Sequence, residues 1–447
     1  MHAPICARGR AWRRVRAWAP KRFDRGRSRA YHFVVTSPQI SKGAATAALL
    51  SLAIGSFAIG MGEFVVMGLL PNVAQDLLPQ TWATAPGDAI AQAGWLISLY
   101  ALGVVIGAPT IAGFVARYPR HRVMLVLSIV LAVGNLLTVL APTFGWVAVA
   151  RLVTGLPHGA YFGIGALVAA DVMGPGKRAK GVAFILTGLT VANVVGVPLG
   201  TFLGQQIGWR AAYGVVAVLW VVTAIMIALF VPAHPGDPGR TMRAELRVFR
   251  IPQVWFTLAL GAIGFGGFFA LYSYVAPMVT DVAHAPQWVV PIVLVLMGVG
   301  MTIGNIIGGY LADINLRRTL LGGLLSIALV LVILALVSHW IVPLAALVFV
   351  MGLVSSSVNP TAQTRLMDVA EDNQSIAAAL NHSAFNIGNS LGAFLGGVVI
   401  AWGWGFVAPA WVGVGLALIG FGIAWLSFRV EDRSRRRAGL AIAGPAD

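Results

Sequence analysis

The chain has 447 residues, of which 58% are hydrophobic and only 10% are charged, whereas about 25% of the residues of an ordinary soluble domain are charged. This composition excludes a soluble globular protein and predicts a membrane protein. The net charge of +16 is compatible with nucleic-acid binding at first sight, and the single cysteine, Cys6, excludes disulfides and cysteine-built metal sites. We expect no metal and no other cofactor.

The first 45 residues form a basic arm that precedes every long apolar run. They hold eleven of the 31 Lys and Arg and a single acid, Asp24. The arm has no apolar core of about 7–15 residues, so it does not resemble a signal peptide. We interpret it as a disordered, lipid-facing cytoplasmic tail or as an over-extended start of translation. A nucleic-acid patch is not expected, because aromatic residues are sparse and no binding fold surrounds the charges.

Twelve apolar runs follow, each long enough to cross a bilayer as a helix. A helix needs about 20 mostly apolar residues to span the hydrocarbon, whereas barrel strands would alternate over about ten residues. The sequence therefore predicts an all-α membrane protein with twelve transmembrane helices. The runs begin near Thr46, Ala91, Arg122, Phe144, Lys180, Trp209, Pro252, Gln287, Thr319, Ile341, Asn373 and Gly403.

Basic residues recur in alternate loops between these runs. The intervening loops contain a single basic residue, Arg210. By the positive-inside rule, the basic loops are cytoplasmic. Both termini are then predicted to be cytoplasmic, in agreement with an even number of spans. The basic clusters lie at 117–122, 177–180, 240–250, 317–318, 365 and 429–437.

Two stretches of the first half of the chain recur in the second half. GFVARYPRHR, from Gly113, is followed 196 residues later by GYLADINLRR, from Gly309, and LGTFLG at Leu199 recurs as LGAFLG at Leu391. Two halves with the same orientation are typical of parallel transporter repeats, with a binding site between them near the midplane. The predicted division is a basic arm (1–45), a six-helix half (46–231), a linker (232–250), a second six-helix half (251–428) and a basic tail (429–447).

Several spans and loops carry short sequence motifs. Glu63-Phe-Val with Leu69-Leu-Pro71 lies in the first run, and Arg151-Leu-Val-Thr-Gly155 reads R-x-x-x-G in the fourth. In chain order these motifs resemble the major facilitator superfamily, and specifically the arabinose-efflux-like permeases of its drug/proton antiporter branch. The motif G-P-x-x-G of the antiporters is matched, with one residue displaced, by Gly196, Pro198 and Gly200. The loop signature G-x-L-A-D-x-x-G-R-K is matched in part by Gly113, Arg117, Arg120, Gly309, Asp313, Arg317 and Arg318.

The resemblance implies a proton-coupled transporter of a small molecule in the inner membrane, with two parallel six-helix repeats and alternating access. The antiporter motif favours efflux of a drug or a sugar-like solute. Proton-coupled uptake of a sugar or nucleoside stays open, because the same fold serves either direction. An enzyme is not expected, since the sequence shows none of the short catalytic motifs, and the half-chain repeat argues against a receptor. We expect a monomer.

Glu63 is the only carboxylate well inside a predicted span. Burial in hydrocarbon costs an ionised group roughly 2.5–3.5 kcal/mol and favours the neutral form of the carboxyl. Glu63 shares a helix face with the small residues Ser56 and Gly60, so it is predicted to face protein rather than lipid. We interpret it as the site of the coupling proton. The alternative is a neutral carboxyl that serves packing alone.

The fourth span carries a polar stripe of Arg151, Thr154, His158 and Tyr161. The resemblance implies that Arg151 modulates the proton affinity of the acid. Alternatively, its guanidinium reaches the outer headgroups. His158 is a candidate proton relay or a residue that hydrogen-bonds a neighbouring helix.

Two further stripes are candidates for the substrate site. An aromatic wall with a few hydrogen-bonding groups is typical of small-molecule sites, although helix packing explains the same spacing. The candidate substrate-binding residues are Tyr161, Phe265, Phe269, Tyr272, His382, Asn386 and Asn389.

The charged residues of the cytoplasmic loop motifs are predicted to hold helix ends together on the cytoplasmic side. Arg117 stands where the superfamily signature has an acid, so the first half lacks the carboxylate that the signature's charge pair would need. In the second half, Asp313 is expected to act with Arg317 and Arg318. Arg365 and Asp368 are further candidate partners.

Overall fold

The described part of the chain is almost entirely helical. The computed structural model describes residues 41–115, 117–174, 177–233, 249–370 and 374–442, and no β-strand occurs among them. Most of the predicted arm and linker and the end of the predicted tail lie outside these residues.

Twelve long helices, α1–α12, follow one another with short connections. Two of them, α5 and α7, contain a π-helical turn, in which one additional residue widens the helix locally. Two further π-helical turns follow α7 at Met278–Val282 and α11 at Ile400–Trp404. Two short helices, Pro79–Thr84 and Pro86–Ala93, precede α2. The bounds are α1 Lys42–Leu77, α2 Trp95–Val115, α3 Arg120–Leu140, α4 Phe144–Met173, α5 Arg178–Val191 with Ala192–Gly196 and Val197–Ile207, α6 Trp209–Phe230, α7 Pro252–Ala259 with Leu260–Gly264 and Gly266–Tyr272, α8 and α9 together Val289–Val337, α10 Ile341–Val369, α11 Gln374–Val399 and α12 Ala408–Ile442.

The helix Val289–Val337 has 49 residues and contains both α8 and α9. As one straight helix at 1.5 Å per residue, 49 residues would be about 74 Å long, more than twice the ~30 Å of the hydrocarbon core. Asn315, with φ −159° and ψ 88°, is non-helical and separates α8 (289–314) from α9 (316–337). Eleven described helices are long and apolar enough to cross a membrane. Because this one crosses twice, the predicted twelve spans are confirmed.

We name the two sides of the bundle by their loops. The basic face holds the start of α1 and the loops α2–α3 and α8–α9, and the opposite face holds the end of α1 and the loops α3–α4 and α9–α10. Large apolar side chains on α3, α6 and α9 are exposed, as expected for surfaces covered by lipid. Examples are Leu136, Leu137, Leu140, Val218, Val221, Ile225, Leu329 and Leu336.

The first helix, α1, is buried along most of its length and contacts both halves. Small residues permit this close approach. A Cβ added to Gly60 would lie 2.7 Å from that of Ala192 on α5, and one added to Gly68 would lie 2.7 Å from Leu294 on α8. On α5, Gly196 and Gly200 face Phe57 and Met61 of α1 in the same way. This packing places Glu63 between the halves.

Ion pairs on the basic face differ from those predicted for the loop motifs. Arg120 pairs with Asp171 at the end of α4, whereas Arg117 lies on the rings of Phe114 and Tyr118. Gly113 lies near the end of α2, and Gly309 near the end of α8.

In the second half, the acids of the ion pairs come from α12. Arg317 pairs with Asp432 at 2.9 Å, and Arg365 pairs with Glu431 at 2.7 Å. Both guanidinium groups also lie over the ring of Phe428. The pair of Arg317 is therefore with Asp432 rather than with Asp313, since α12 continues past the predicted boundary at Phe428 to Ile442.

We expect Glu431→Gln to lower the melting temperature of the purified protein more than Asp432→Asn does. Breaking a buried ion pair costs about 3–5 kcal/mol, and the loss is smaller here because 21% of the Glu431 side chain is exposed while that of Arg365 is 8% exposed. The matched pair Arg317–Asp432 is 41% and 45% exposed, and exposed pairs contribute about 0–1 kcal/mol. Equal melting temperatures for the two variants would contradict this assignment.

Candidate functional site

Glu63 lies at the centre of the bundle, where the two halves meet. It is only 5% exposed, although it is an ionisable residue inside a membrane-spanning helix. Its Oε1 accepts a hydrogen bond of 2.9 Å from Nδ2 of Asn389. Asn389 belongs to α11 and Glu63 to α1, so this hydrogen bond joins the second half of the chain to the first.

His158 of α4 lies on the other side of the carboxyl. Its Nδ1 is 3.9 Å from Oε2 of Glu63 and 3.1 Å from the hydroxyl of Tyr100 on α2. Both His158 and Tyr100 are buried. The imidazole therefore lies between the phenol and the carboxyl, with one ring nitrogen facing both.

Arg151 does not extend to the headgroups but points into the protein. It is 1% exposed, and its Nη1 donates a hydrogen bond of 2.8 Å to the carbonyl of Gly62. Its guanidinium lies 4.1 Å from the ring centre of Tyr100 and 5.4 Å from that of Tyr213. Its Nε and Nη2 have no hydrogen-bond partner in the described structure. A buried positive charge is costly unless a negative charge or hydrogen-bond acceptors lie near it. Glu63 can supply the negative charge, because it directly follows Gly62, whose carbonyl Arg151 binds.

Aromatic side chains of the two halves meet at Phe64, the residue after Glu63. Phe64 of α1 contacts two rings of α7, with ring centres 6.5 Å from Phe269 and 5.7 Å from Tyr272. The predicted α7 stripe thus meets the first half through these two residues. Phe265 instead contacts Phe385 of α11, within the second half, with ring centres 3.9 Å apart.

His382 of α11 reaches the first half by stacking. Its ring lies 5.2 Å from that of Phe162, nearly parallel, and Phe162 in turn lies 5.4 Å from His158. Asn386 donates to the carbonyl of His382 in its own helix, and its Oδ1 has no partner within the described residues. The predicted α11 stripe therefore lies along the contact between the halves.

Tyr161 meets this cluster only through the edge of the neighbouring ring of Phe162, with ring centres 6.3 Å apart. Its hydroxyl donates to the carbonyl of Leu52 at 3.1 Å, and its ring lies edge-on to Trp220 of α6. The side chain is buried inside the first half.

Three aromatic residues of the cluster were not predicted from the sequence: Phe64, Tyr100 and Phe162. Phe64 and Phe162 are aromatic residues in apolar runs, where packing is the ordinary explanation. Tyr100 is a lone tyrosine in its span, and no spacing marks it. Only the fold shows that these residues meet.

The halves are also joined between Glu63 and the opposite face. Ser98 of α2 and Ser390 of α11 each donate from Oγ to the other's carbonyl, both at 3.1 Å. Closer to the opposite face, Gln287 donates to Asn72 at 2.8 Å and accepts from Gln205 at 3.1 Å. The described ion pairs of the basic face, in contrast, each lie within one half. These hydrogen bonds therefore hold the two halves together on the side of the opposite face.

Metal binding has no support within the described residues. No group of three or more His, Cys, Asp or Glu side chains there could hold a metal ion. The site is thus one carboxyl with an amide, an imidazole, a guanidinium and aromatic rings around it.

Comparison with known proteins assigns this arrangement to a family. A family model described as Major Facilitator Superfamily matches residues 52–314 and 284–446. The chain belongs to the Major Facilitator Superfamily. As the sequence predicts, it is a multi-pass inner-membrane transporter of this superfamily and not an enzyme.

Three relatives cover most of this superfamily member. The inner membrane transport protein YdhP of Escherichia coli is 38% identical over 360 residues, which are 80% of this chain and 90% of that protein. The putative transporter AraJ of Escherichia coli is 33% identical, covering 79% and 88%. A chloramphenicol resistance protein of Streptomyces lividans is 30% identical, covering 81% and 91%.

A solved structure has the same fold. It is a bacterial homologue of the human lysosomal transporter Spinster, in an inward-facing and unoccupied conformation. The TM-score is 0.69 at 18% sequence identity, with 87% of this chain and 98% of that chain covered. The similarity supports the two-repeat architecture.

Proposed function

We propose that this superfamily member exports a small molecule in exchange for protons, by alternating access of the two halves. The observation that carries the proposal is the hydrogen bond from Asn389 to Glu63, because it joins an intramembrane carboxyl of one half to a side chain of the other. Rearrangement of the halves would break this bond. Proton binding at Glu63 would then depend on the conformation of the transporter.

Glu63 acts in this proposal as the proton-binding group. An ionised carboxylate in a protein interior needs donors or cations around it. Asn389 donates to this one, Arg151 binds the carbonyl of the preceding residue, and the imidazole of His158 lies 3.9 Å away. Arg151 and His158 stay with Glu63 in the first half, whereas Asn389 moves with the second half. Opening towards the opposite face would therefore remove one donor and favour uptake of a proton.

The substrate site in this proposal lies beside Glu63, between α1, α4, α7 and α11. Aromatic rings line it, and amide oxygens of Asn386 and Asn389 without a described partner offer hydrogen-bond acceptors. Such a mixture suits a drug or a sugar-like solute with an apolar body and a few polar groups. Export is supported by the 30% identity to a chloramphenicol resistance protein.

The experiment that tests the proposal is reconstitution into vesicles with a pH-sensitive dye inside. Chloramphenicol, monosaccharides and nucleosides are added one at a time while internal pH is recorded. Proton movement opposite to the substrate supports antiport, and movement in the same direction assigns proton-coupled uptake instead. Movement of substrate with no movement of protons would contradict proton coupling.

The proposal places the basic face in the cytoplasm, as the positive-inside rule indicates. Cys6 is replaced by Ser to provide a cysteine-free background, and a cysteine is then introduced either at Thr143 or at Ser434. Both residues are exposed, the first in the α3–α4 loop and the second in α12. We expect a membrane-impermeant maleimide to label Thr143→Cys in intact cells, and Ser434→Cys only after lysis. The reverse pattern would contradict this orientation.

A further inference from the structure

Tyr100 touches two of the candidate coupling residues at once. It is 2% exposed, its ring lies 4.1 Å from the guanidinium carbon of Arg151, and its hydroxyl lies 3.1 Å from Nδ1 of His158. A cation over a buried aromatic face is attracted by the electrons of the ring. Tyr100 thus contacts the two side chains of α4 that flank Glu63.

The same nitrogen of His158 faces two groups. Nδ1 lies between the hydroxyl of Tyr100 at 3.1 Å and Oε2 of Glu63 at 3.9 Å. A neutral imidazole carries its proton on one nitrogen, and the other nitrogen accepts. Nδ1 therefore either accepts from Tyr100 or carries the proton and donates, to the phenol oxygen or towards Glu63, but does not do both.

We propose that Tyr100 is a positioning residue for proton coupling: its hydroxyl donates to Nδ1 of His158 and keeps the imidazole proton on Nε2. The shorter of the two contacts supports this direction, and a phenol O–H next to a nitrogen lone pair is a good donor. His158 then has no N–H to offer to Glu63. The inference rests on the proposed function, in which Glu63 binds the coupling proton.

This arrangement makes Glu63 responsive to the second half. When the imidazole proton is on Nε2, His158 cannot donate from Nδ1 to Glu63. The hydrogen bond to Glu63 then comes from Asn389, which moves with α11. A permanent donor in the first half would stabilise the carboxylate in every conformation and weaken the dependence on Asn389. The other titratable and charged groups that face this cluster are Arg151 from α4, Tyr213 from α6, Tyr272 from α7 and His382 from α11.

The test compares Tyr100→Phe with the wild type in nanodiscs, without substrate. The protein is labelled with ¹⁵N-histidine, and the signals of His158 are assigned as those that His158→Asn removes. We expect an unprotonated Nδ1 in the wild type and a protonated Nδ1 in Tyr100→Phe, which retains the ring beneath Arg151. Tyr274→Phe is the matched control, because it removes a buried hydroxyl that donates to the carbonyl of Ala393 at 2.7 Å.

A second readout is the infrared band of the protonated carboxyl that Glu63→Gln removes. In Tyr100→Phe the pH midpoint of this band should move by about one unit, equal to about 1.4 kcal/mol, and in Tyr274→Phe it should not move. An unchanged Nδ1 signal and an unchanged midpoint in Tyr100→Phe would overturn the inference. Failure of proton coupling itself is seen separately, as substrate transport without proton movement in the vesicles.

Discussion

Glu63→Gln is expected to abolish accumulation of substrate against its gradient while leaving exchange down a gradient. Glutamine is nearly isosteric and still accepts the hydrogen bond from Asn389, but it cannot bind and release a proton. One pH unit corresponds to about 1.4 kcal/mol, so one-to-one exchange with protons sustains about a tenfold substrate gradient per unit. In vesicles with an imposed difference of about one pH unit, we expect the wild type to build up this tenfold substrate gradient and Glu63→Gln to build up none.

Asp88→Asn is the control for this prediction. Asp88 is an exposed carboxylate that lies before α2, so its loss removes a negative charge without changing the site. The control should accumulate substrate like the wild type. Accumulation by Glu63→Gln at the wild-type level would show that the carboxyl serves packing alone.

A disulfide between positions 98 and 390 is expected to stop transport completely and reversibly. Ser98 and Ser390 each donate to the other's backbone carbonyl, so cysteines at both positions should be close enough for the geometry of a disulfide. Their bond would fix α2 to α11 and hold the opposite face closed, which prevents alternating access.

The experiment uses Ser98→Cys with Ser390→Cys in a Cys6→Ser background, with each single variant as control. An oxidant should eliminate substrate exchange in the double variant alone, and a reductant should restore it. Full exchange by protein shown to be cross-linked would mean that the α2–α11 contact does not open during transport.

Much of the fold follows from hydropathy, because a bilayer forces each long apolar run into a helix whose backbone hydrogen bonds are satisfied internally. The same rule singles out Glu63, since an acid inside such a run is costly. Sequence could not name its partner Asn389, which is 326 residues away. The order of helices in the bundle decides that contact, and no local pattern encodes it.

Helical spacing also explains why two residues of the predicted α4 stripe point to different places. Tyr161 is ten residues after Arg151, and at 3.6 residues per turn it is rotated by about 80° from it, which is enough to direct it to Leu52 and Trp220. His158, seven residues after Arg151, is rotated by only about 20° and stays at the carboxyl. In α7, Phe265 directly follows the π-helical turn Leu260–Gly264, and its ring contacts Phe385 of α11.

The central claim is that the protonation of Glu63 sets the arrangement of the halves. Its most direct test is the distance between spin labels at Thr143→Cys and His339→Cys, which are exposed in the α3–α4 and α9–α10 loops of the opposite face. In a Cys6→Ser background, we predict that the electron–electron distance distribution shifts with pH, and that Glu63→Gln gives one distribution at every pH. A Glu63→Gln distribution that still shifts with pH as in the wild type would contradict the claim.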